Sequence, residues 1–483
     1  MNVFCKLFLP AGITAVLFGG TQALSVNTQN LFAAGIVGIV SDENGDPIEN
    51  AAVVISAGKT PGKKNDGKKT STDSEGAYEI DKLKKGKYKL TVVSTGYETA
   101  SKTVTLRKNS DEIEENFTML FSSYEKTNDT GTTDAAVAAY KEIGTLRKID
   151  PIDGDAIASA YDGELQELVL EIDAEYNLAL DSDISGAIED ITNDAEPKLA
   201  AQVIDKTLQR VFYLEVLEQI TNARDDFDED DTDELSQYWD NAYAAYQALT
   251  GTADKQNKIL TADRTGITTG SNPNLEDQIT VAFIRGRKAI NKKNSAEDEI
   301  TLGVQRQVIR LSLVRAFYMA TLGEIEELLD ARSTDVEEAR ILQKEAEVYY
   351  KIVEEFVSQD NPTGNETIKS QLTGDLNGVS ADTLVSEMSR GFIGRVKDEL
   401  ESNEEALDGD ERGDAVITAK EAQLYASVFL EDLELRLGSD EREKIEDSLN
   451  DLNAASNSVD VPAADTARQE ITSVISSYEG ELQ

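Results

Sequence analysis

One helical segment occurs twice in this chain, at an offset of 105 residues. The first copy spans residues 202–220 (QVIDKTLQRVFYLEVLEQI) and the second spans residues 307–325 (QVIRLSLVRAFYMATLGEI). Nine of the nineteen aligned positions are identical, where average residue usage would give roughly one match. Apolar side chains recur at helical spacing in both copies. An interval this long is typical of a duplicated multi-helix unit rather than of a short solenoid repeat.

The similarity continues beyond this segment. The same offset pairs Asp277, Arg285 and Gly286 with Asp382, Arg390 and Gly391. Between these residues and the repeated segment, a slip of one residue aligns Tyr243 with Tyr349. We therefore predict two related helical bundles, at residues 202–290 and 307–395, within an acidic all-helical domain of residues 134–483. Its predicted helices include residues 155–174 and 418–437, and many begin at Asp, Ser or Thr, the preferred N-cap residues. Polar loops are predicted at residues 251–274 and, in the second copy, 360–378.

A different pattern fills residues 34–121. Short apolar stretches alternate with turns that are rich in Gly, Asp and Asn, which predicts a small β-sandwich. Within those turns, Gly45 and Gly76 are expected to adopt positive φ, and Pro47 pre-sets the entry to the next strand. Residues 122–133 (SSYEKTNDTGTT) are polar and are predicted to be a linker.

The sandwich segment carries GIVGIVSDENGDPIENAAVVI and, after a lysine-rich loop, TDSEGAYEIDKLKKGKYKLTVVSTGYE. This stretch resembles the carboxypeptidase regulatory-like domain, whose fold is a transthyretin-like sandwich. The resemblance implies an accessory, surface-presenting role and no catalysis. The predicted fold class is therefore multidomain: a small all-β transthyretin-like sandwich, followed by a large all-α domain made of a duplicated helical-bundle unit.

Residues 1–23 have the features of a secretory signal peptide. Lys6 precedes a short apolar stretch at residues 7–20, and small residues suited to cleavage follow at 21 and 23. The apolar stretch is too short for a comfortable membrane span, and no other stretch approaches 18 apolar residues. The sequence therefore predicts a secreted protein, periplasmic or at the cell surface, with no membrane span in the mature chain.

The residue types that the chain lacks narrow its chemistry. It has no histidine, and its one cysteine, Cys5, falls inside the predicted signal peptide. Ordinary zinc and copper sites are thereby excluded from the mature chain, as is catalysis that uses a histidine base. Oxygen ligands remain, and these suit Ca²⁺, Mg²⁺, Mn²⁺ or Fe(III).

The formal net charge of −45 is unevenly distributed along the chain. Residues 34–110 carry a net +3, whereas residues 111–483 carry −49. Binding of nucleic acid is not expected, because its affinity comes largely from Lys and Arg at phosphates. Two interpretations of the acidity remain open, namely solubility and attraction of cations.

A first candidate metal site lies at residues 410–421 (DERGDAVITAKE). The stretch resembles an EF-hand calcium loop, with candidate ligands at loop positions 1, 5, 9 and 12, which are Asp410, Asp414, Thr418 and Glu421. It departs from that pattern at Arg412, which stands at an acidic position, and at Ala415, which replaces the bend glycine. The alternative interpretation is a capping box at the start of a helix.

A second set of candidates combines carboxylates with phenols on neighbouring helical turns, a ligand set that suits Fe(III). Glu421 and Tyr425 are four residues apart and share one helical face. The other members of this set are Asp240 with Tyr243, and Glu345 and Glu347 with Tyr349. The alternative interpretation is an amphipathic interface with tyrosines at its boundary.

The helical region, with LQRVFYLEVLEQI, YWDNAYAAYQALTGTADKQNKIL and VAFIRGRKAI, resembles the iron-assimilation or high-CO2-inducible periplasmic proteins of algae. The resemblance implies iron-linked uptake at the cell surface. The sequence thus favours a non-catalytic, secreted acidic protein that captures a hard cation, iron first and calcium second. The alternative is a structural or adhesion protein of the cell surface, in which a helical spacer carries a β-sandwich that binds a wall or surface component.

Overall fold

The computed structural model describes residues 34–42, 45, 47–57, 68–108, 112–120, 122–228, 231–252 and 275–482. A β-sandwich at the N-terminal end is followed by a large helical region, so the predicted multidomain class is confirmed. The predicted signal peptide and most of the predicted loop at residues 251–274 lie outside the described residues. No helix within the described ranges is long and apolar enough to cross a membrane.

Two sheets form the sandwich. One has the antiparallel order β3-β2-β5-β6; the other has β4 antiparallel to β1, with β7 and β8 parallel to β1. The strands are β1 (Ala34–Asp42), β2 (Ala52–Ala57), β3 (Lys68–Ser71), β4 (Ala77–Leu83), β5 (Gly86–Val93), β6 (Ala100–Leu106), β7 (Glu112–Glu114) and β8 (Phe117–Met119). Alternate residues point inward and form an apolar core that includes Ile36, Val53 and Leu90.

The turns of the sandwich depend on the predicted glycines. Gly45 and Gly76 have φ of +93° and +70°, so both positive-φ predictions are confirmed. At Gly76 a Cβ would lie 2.4 Å from the Val40 carbonyl oxygen, so any larger residue would push the β3–β4 turn away from β1. Pro47 forms a bridge with Ser41 at the entry to the next strand.

Fifteen α-helices follow within the described residues. In chain order they are α1 (Gly131–Leu146), α2 (Gly154–Tyr161), α3 (Glu164–Tyr176), α4 (Leu180–Thr192), α5 (Pro197–Asp225), α6 (Thr232–Tyr246), α7 (Leu275–Lys292), α8 (Ala296–Ala331), α9 (Val336–Asp360), α10 (Pro362–Thr373), α11 (Ala381–Asp408), α12 (Arg412–Ala426), α13 (Leu430–Leu437), α14 (Ser439–Ser458) and α15 (Val461–Glu481). Their apolar stripes meet in one continuous core.

The two copies of the repeated segment form the long helices α5 and α8. In each copy, the helix that carries the aligned glycine closely approaches the helix that follows the repeated segment. A Cβ on Gly286 of α7 would lie 2.1 Å from the Trp239 ring of α6, and one on Gly391 of α11 would lie 2.6 Å from Val357 Cα of α9. The aligned glycines therefore both lie at a close contact between equivalent helices, although the contacted residues, Trp239 and Val357, are not at aligned positions.

Three elements of the helical region differ in kind from those expected. The helix expected at 155–174 is interrupted at Gly163, which has φ of +103°. The helix expected at 418–437 is two helices, α12 and α13. Residues 360–378, expected to be a loop, contain α10, which begins at Pro362 behind the N-cap Asn361.

Candidate functional site

Six of the ten candidate residues fall into three places: a joint where the sandwich and the linker meet the helices, a first buried ionic cluster, and a second one. Asp240 lies at the joint, fully buried on α6. It accepts hydrogen bonds from the Tyr124 hydroxyl at 2.7 Å, from the backbone N–H groups of Thr127 and Asn128 at 2.9 Å each, and from the Asn128 amide at 3.0 Å. Arg287 of α7 forms an ion pair with it.

Burial opposes ionisation of Asp240, but the bonds from Tyr124, Arg287 and the two amides outweigh it and hold its pKa below the usual value. The carboxylate is therefore charged, and protein donors surround both of its oxygens. We expect no coordination of a metal by Asp240 while these bonds persist, because each donor would have to be displaced.

Tyr243 belongs to an aromatic cluster beside this joint. Its ring centroid is 4.3 Å from that of Tyr124 and 5.1 Å from that of Phe283. Burial raises the pKa of its hydroxyl, which disfavours the phenolate that iron would require. Tyr243 thus packs the linker against α6 and α7, as in the alternative interpretation of a tyrosine at an amphipathic interface.

The first buried ionic cluster joins α5 to α9. Lys206 Nζ lies 2.9 Å from Glu345 and 3.3 Å from Asp205, and it stands 4.8 Å from the ring centroid of Tyr349. Burial disfavours the ammonium, yet the negative charge around it raises the pKa of Lys206 above its ordinary value. Arg147, which directly follows α1, adds a second cation, 2.9 Å from Asp205. Each carboxylate of this cluster is therefore neutralised by a cation of the protein itself.

Glu347 does not join this cluster. It lies two residues from Glu345 and so points to a different side of the helix. There it is partly exposed and pairs with Lys344 at 2.8 Å and Lys351 at 4.0 Å. The predicted set of Glu345, Glu347 and Tyr349 is therefore not brought together around one point.

The second buried ionic cluster lies between α11 and α12. Glu421 and Glu399 share a hydrogen bond between their carboxyl groups. Burial, and then the charge of Glu421, raise the pKa of Glu399 to about 8, and burial also raises the pKa of Glu421. Arg395 lies 3.2 Å from Glu399 and 5.3 Å from the ring centroid of Tyr425. At neutral pH the two carboxyl groups therefore hold one proton between them.

The predicted EF-hand loop is wrong, because residues 412–421 are helical. An EF-hand loop must wrap irregular backbone around its ion, whereas here only Asp410 and Glu411 precede α12. Asp410 and Asp414 are exposed, while Glu421 is buried against α11. The Thr418 hydroxyl donates to the Asp414 carbonyl at 2.8 Å, within the helix. Arg412 donates to Glu297 of α8 at 2.7 Å and to the Asn457 carbonyl of α14 at 2.9 Å.

Across the described ranges, no group of three or more Asp, Glu, His or Cys side chains is arranged to hold a metal ion. Capture of iron or calcium therefore stays a prediction. Sequence reasoning missed the cations that complete each place, namely Arg287, Lys206 and Arg395. One signal was available: Lys206 interrupts the apolar residues of the repeated helix, at a position where the second copy has Leu311.

Comparison with known proteins identifies the first of the two regions. Residues 35–120 match the model of the carboxypeptidase regulatory-like domain. The sandwich is a domain of this family. The match ends where the linker begins and so covers none of the helices. A search of curated proteins gives no match to the chain.

Proposed function

We propose that this protein is a secreted, non-catalytic presentation protein of the cell surface. Its carboxypeptidase regulatory-like domain binds a surface component, and its acidic helical region holds that domain in a fixed orientation. The observation that carries the proposal is the joint between the two regions. A domain that is only tethered would need none of the buried contacts that meet there.

The first part of the joint is the turn between β5 and β6. Gly96 packs so closely on α7 that a Cβ would lie 2.9 Å from Val281. The Thr95 carbonyl accepts a hydrogen bond from Arg285 at 3.5 Å, and Lys288 donates to the Thr95 hydroxyl. The strands consequently run away from the helices, and the Gly86 end of β5 lies roughly 25 Å from the contact, at ~3.3 Å per residue.

The second part of the joint is the linker. Ser122 N donates to the Gly96 carbonyl at 2.9 Å, so the chain leaves the sandwich beside the turn that touches α7. A few residues later, Asp240 binds the linker at Tyr124, Thr127 and Asn128. Two separate contacts fix position and direction together, which a single hinge would not do.

The joint can be tested with D240N, which keeps the shape of the side chain and removes its charge. We expect Arg287 to lose its counter-ion and the linker amides a strong acceptor, so that the sandwich reorients freely. Small-angle scattering should then show a broader distribution of interatomic distances, and proteolysis should cut residues 122–130 faster. D233N, an exposed change on the same helix, is the matched control. Unchanged scattering in D240N would contradict the fixed orientation.

The surface role is tested by adding purified full-length protein to isolated cell envelopes of its native source. We expect saturable co-sedimentation that survives extraction of lipids with detergent. Recovery of all the protein in the supernatant at every envelope concentration would overturn the proposal.

A further inference from the structure

No element of the described part of the chain packs on the outer face of the sheet β3-β2-β5-β6, and this face has an unusual composition. The strand register gives the residues of this face in rows across the sheet. In the first row Lys87 lies opposite Thr105, and in the second Lys89 lies between Ser56 and Thr103. In the third row Thr91 lies between Val54 and Ser101, with Lys69 on the other side of Val54. The last row contains Ser71, Ala52 and Val93. We call these twelve residues the lysine–hydroxyl face.

This face carries cations and hydroxyl groups and no acid. Lys69, Lys87 and Lys89 are exposed, and within the described residues none of their ammonium groups forms an ion pair. Six Ser or Thr residues stand among them, including the exposed Thr103 and Thr105. In a chain with net charge −45, a sheet face without a single carboxylate contrasts with its surroundings.

The opposite sheet shows that the charge is segregated within the sandwich. Its outward positions include Glu79 and Glu114, which both lie beside Val37 in the register of β1. Both glutamates are exposed. A random scatter of charges would mix the two signs on each sheet, so this difference gives the sandwich one face that attracts anions.

The position of the face matters as well. The joint to the helices lies at the Val93 end of β5, and Lys87 lies at the far end. Lys87 and Lys89 are separated from the joint by more than the Debye length of about 8 Å at physiological salt. The large negative charge of residues 122–483, beyond the joint, is therefore screened where these lysines meet a partner.

We propose that the lysine–hydroxyl face binds a linear anionic polysaccharide, one whose sugars carry carboxylate groups. The inference rests on the proposed function and names the partner of the sandwich. Ammonium groups pair with the carboxylates, while Ser and Thr exchange hydrogen bonds with sugar hydroxyls, as both donors and acceptors. The face is roughly 25 Å long and ~14 Å wide, from the rise per residue and the strand spacing, which suits an extended chain.

The composition disfavours other occupants. A lipid surface would require apolar residues to insert, and this face offers only Ala52, Val54 and Val93. The acidic helices of a second copy offer carboxylates to the lysines, but they would leave the Ser and Thr hydroxyls of this face without hydroxyl groups to bond. Self-association is therefore an outcome of the test rather than the expectation.

The test measures binding of the full-length protein to polygalacturonate, with poly-L-glutamate as a charged chain without sugars and dextran as a neutral sugar chain. We expect binding to polygalacturonate that weakens steeply as salt is added, weaker binding to poly-L-glutamate, and none to dextran. The variant K69E/K87E/K89E should bind polygalacturonate about tenfold more weakly or worse. The control K148E/K198E/K444E, with the same change in net charge on exposed lysines of the helical region, should stay within about twofold.

A second variant separates hydroxyl contacts from charge. T103V/T105V keeps the β-branched shape, so we expect about a threefold or greater loss of affinity for polygalacturonate and no change for poly-L-glutamate. The inference is overturned if the protein does not bind polygalacturonate at low salt, or if both lysine triples weaken binding equally. It is also overturned if K69E/K87E/K89E abolishes self-association instead. Binding to envelopes without binding to polygalacturonate would contradict this inference and leave the proposed function supported. Absence of binding to both would contradict the inference and the proposed function.

Discussion

The two buried ionic clusters of the helical region neutralise their carboxylates in different ways. In the first, Lys206 stands between Asp205 and Glu345, so protein cations balance the acids. In the second, Glu399 and Glu421 contact each other, and a shared proton lowers the charge. The first arrangement does not depend on pH near neutrality, whereas the second does. A carboxylate on an inward helix face is therefore no evidence of a metal site until its neighbours are known.

The largest expected effect comes from removing the cation of the first cluster. K206M should lower the free energy of unfolding by about 3–5 kcal/mol, because it leaves Glu345 buried without a counter-ion. Urea unfolding measures the change. The double variant K206M/E345M should recover most of the loss, since an apolar pair replaces the ion pair. A loss well under 1 kcal/mol in K206M would contradict the importance of this ion pair.

The second cluster should make stability depend on pH. Because the folded pKa of Glu399 is raised to about 8, from an unfolded value of about 4.5, the folded state binds more protons between these values. The free energy of unfolding should therefore fall as the pH rises from about 5 to about 8, by at most ~1.4 kcal/mol per pH unit for the proton on Glu399.

E421Q tests this cause. The amide keeps the shape and a hydrogen bond while it removes one charge, so the variant should gain about 1–2 kcal/mol over the wild type at pH 9 and show a flatter pH profile. Chemical unfolding across the pH series provides the comparison. E401Q, an exposed change on α11, should leave the profile unaltered. Identical profiles for E421Q and the wild type would show that the pair does not share a proton.

The smallest effect is expected at the residues first predicted to bind calcium. D410N/D414N should leave calorimetric titrations with Ca²⁺ and Fe(III)-citrate unchanged, because these side chains are exposed and Glu421 points into the core. Saturable binding of one ion per chain that disappears in the variant would restore the metal site and reverse the interpretation of the second cluster.

Local rules predicted much of this structure. Glycine and aspartate turns marked the sandwich, and the positive φ of Gly45 and Gly76 followed from the turn chemistry. The repeated apolar stripe marked α5 and α8. Residues 410–414 were misread because acids suit both a calcium loop and the first turn of a helix, where they complement the dipole.

The partners of the candidate residues could not be predicted in the same way. Helical spacing shows which residues share a face, as for Glu421 and Tyr425, but not which helix supplies the neighbour. Arg287 reaches Asp240 from 47 residues downstream, and Glu345 meets Lys206 from 139 residues downstream. Contacts between residues so far apart in the sequence are set by tertiary packing, which no local pattern encodes. Residues 122–133 were likewise predicted to be only a polar linker, although Tyr124 is buried at the joint.

The way the sandwich projects from α7 has a consequence for how the protein would approach a surface. The sandwich, residues 34–121, carries a net charge of −1, whereas residues 122–483 carry −45, so an anionic layer exerts a torque on the molecule while it is still diffusing. The layer repels the helical end, so the molecule rotates until the sandwich faces the layer. Encounters would then begin in one orientation, before any side chain touches its target.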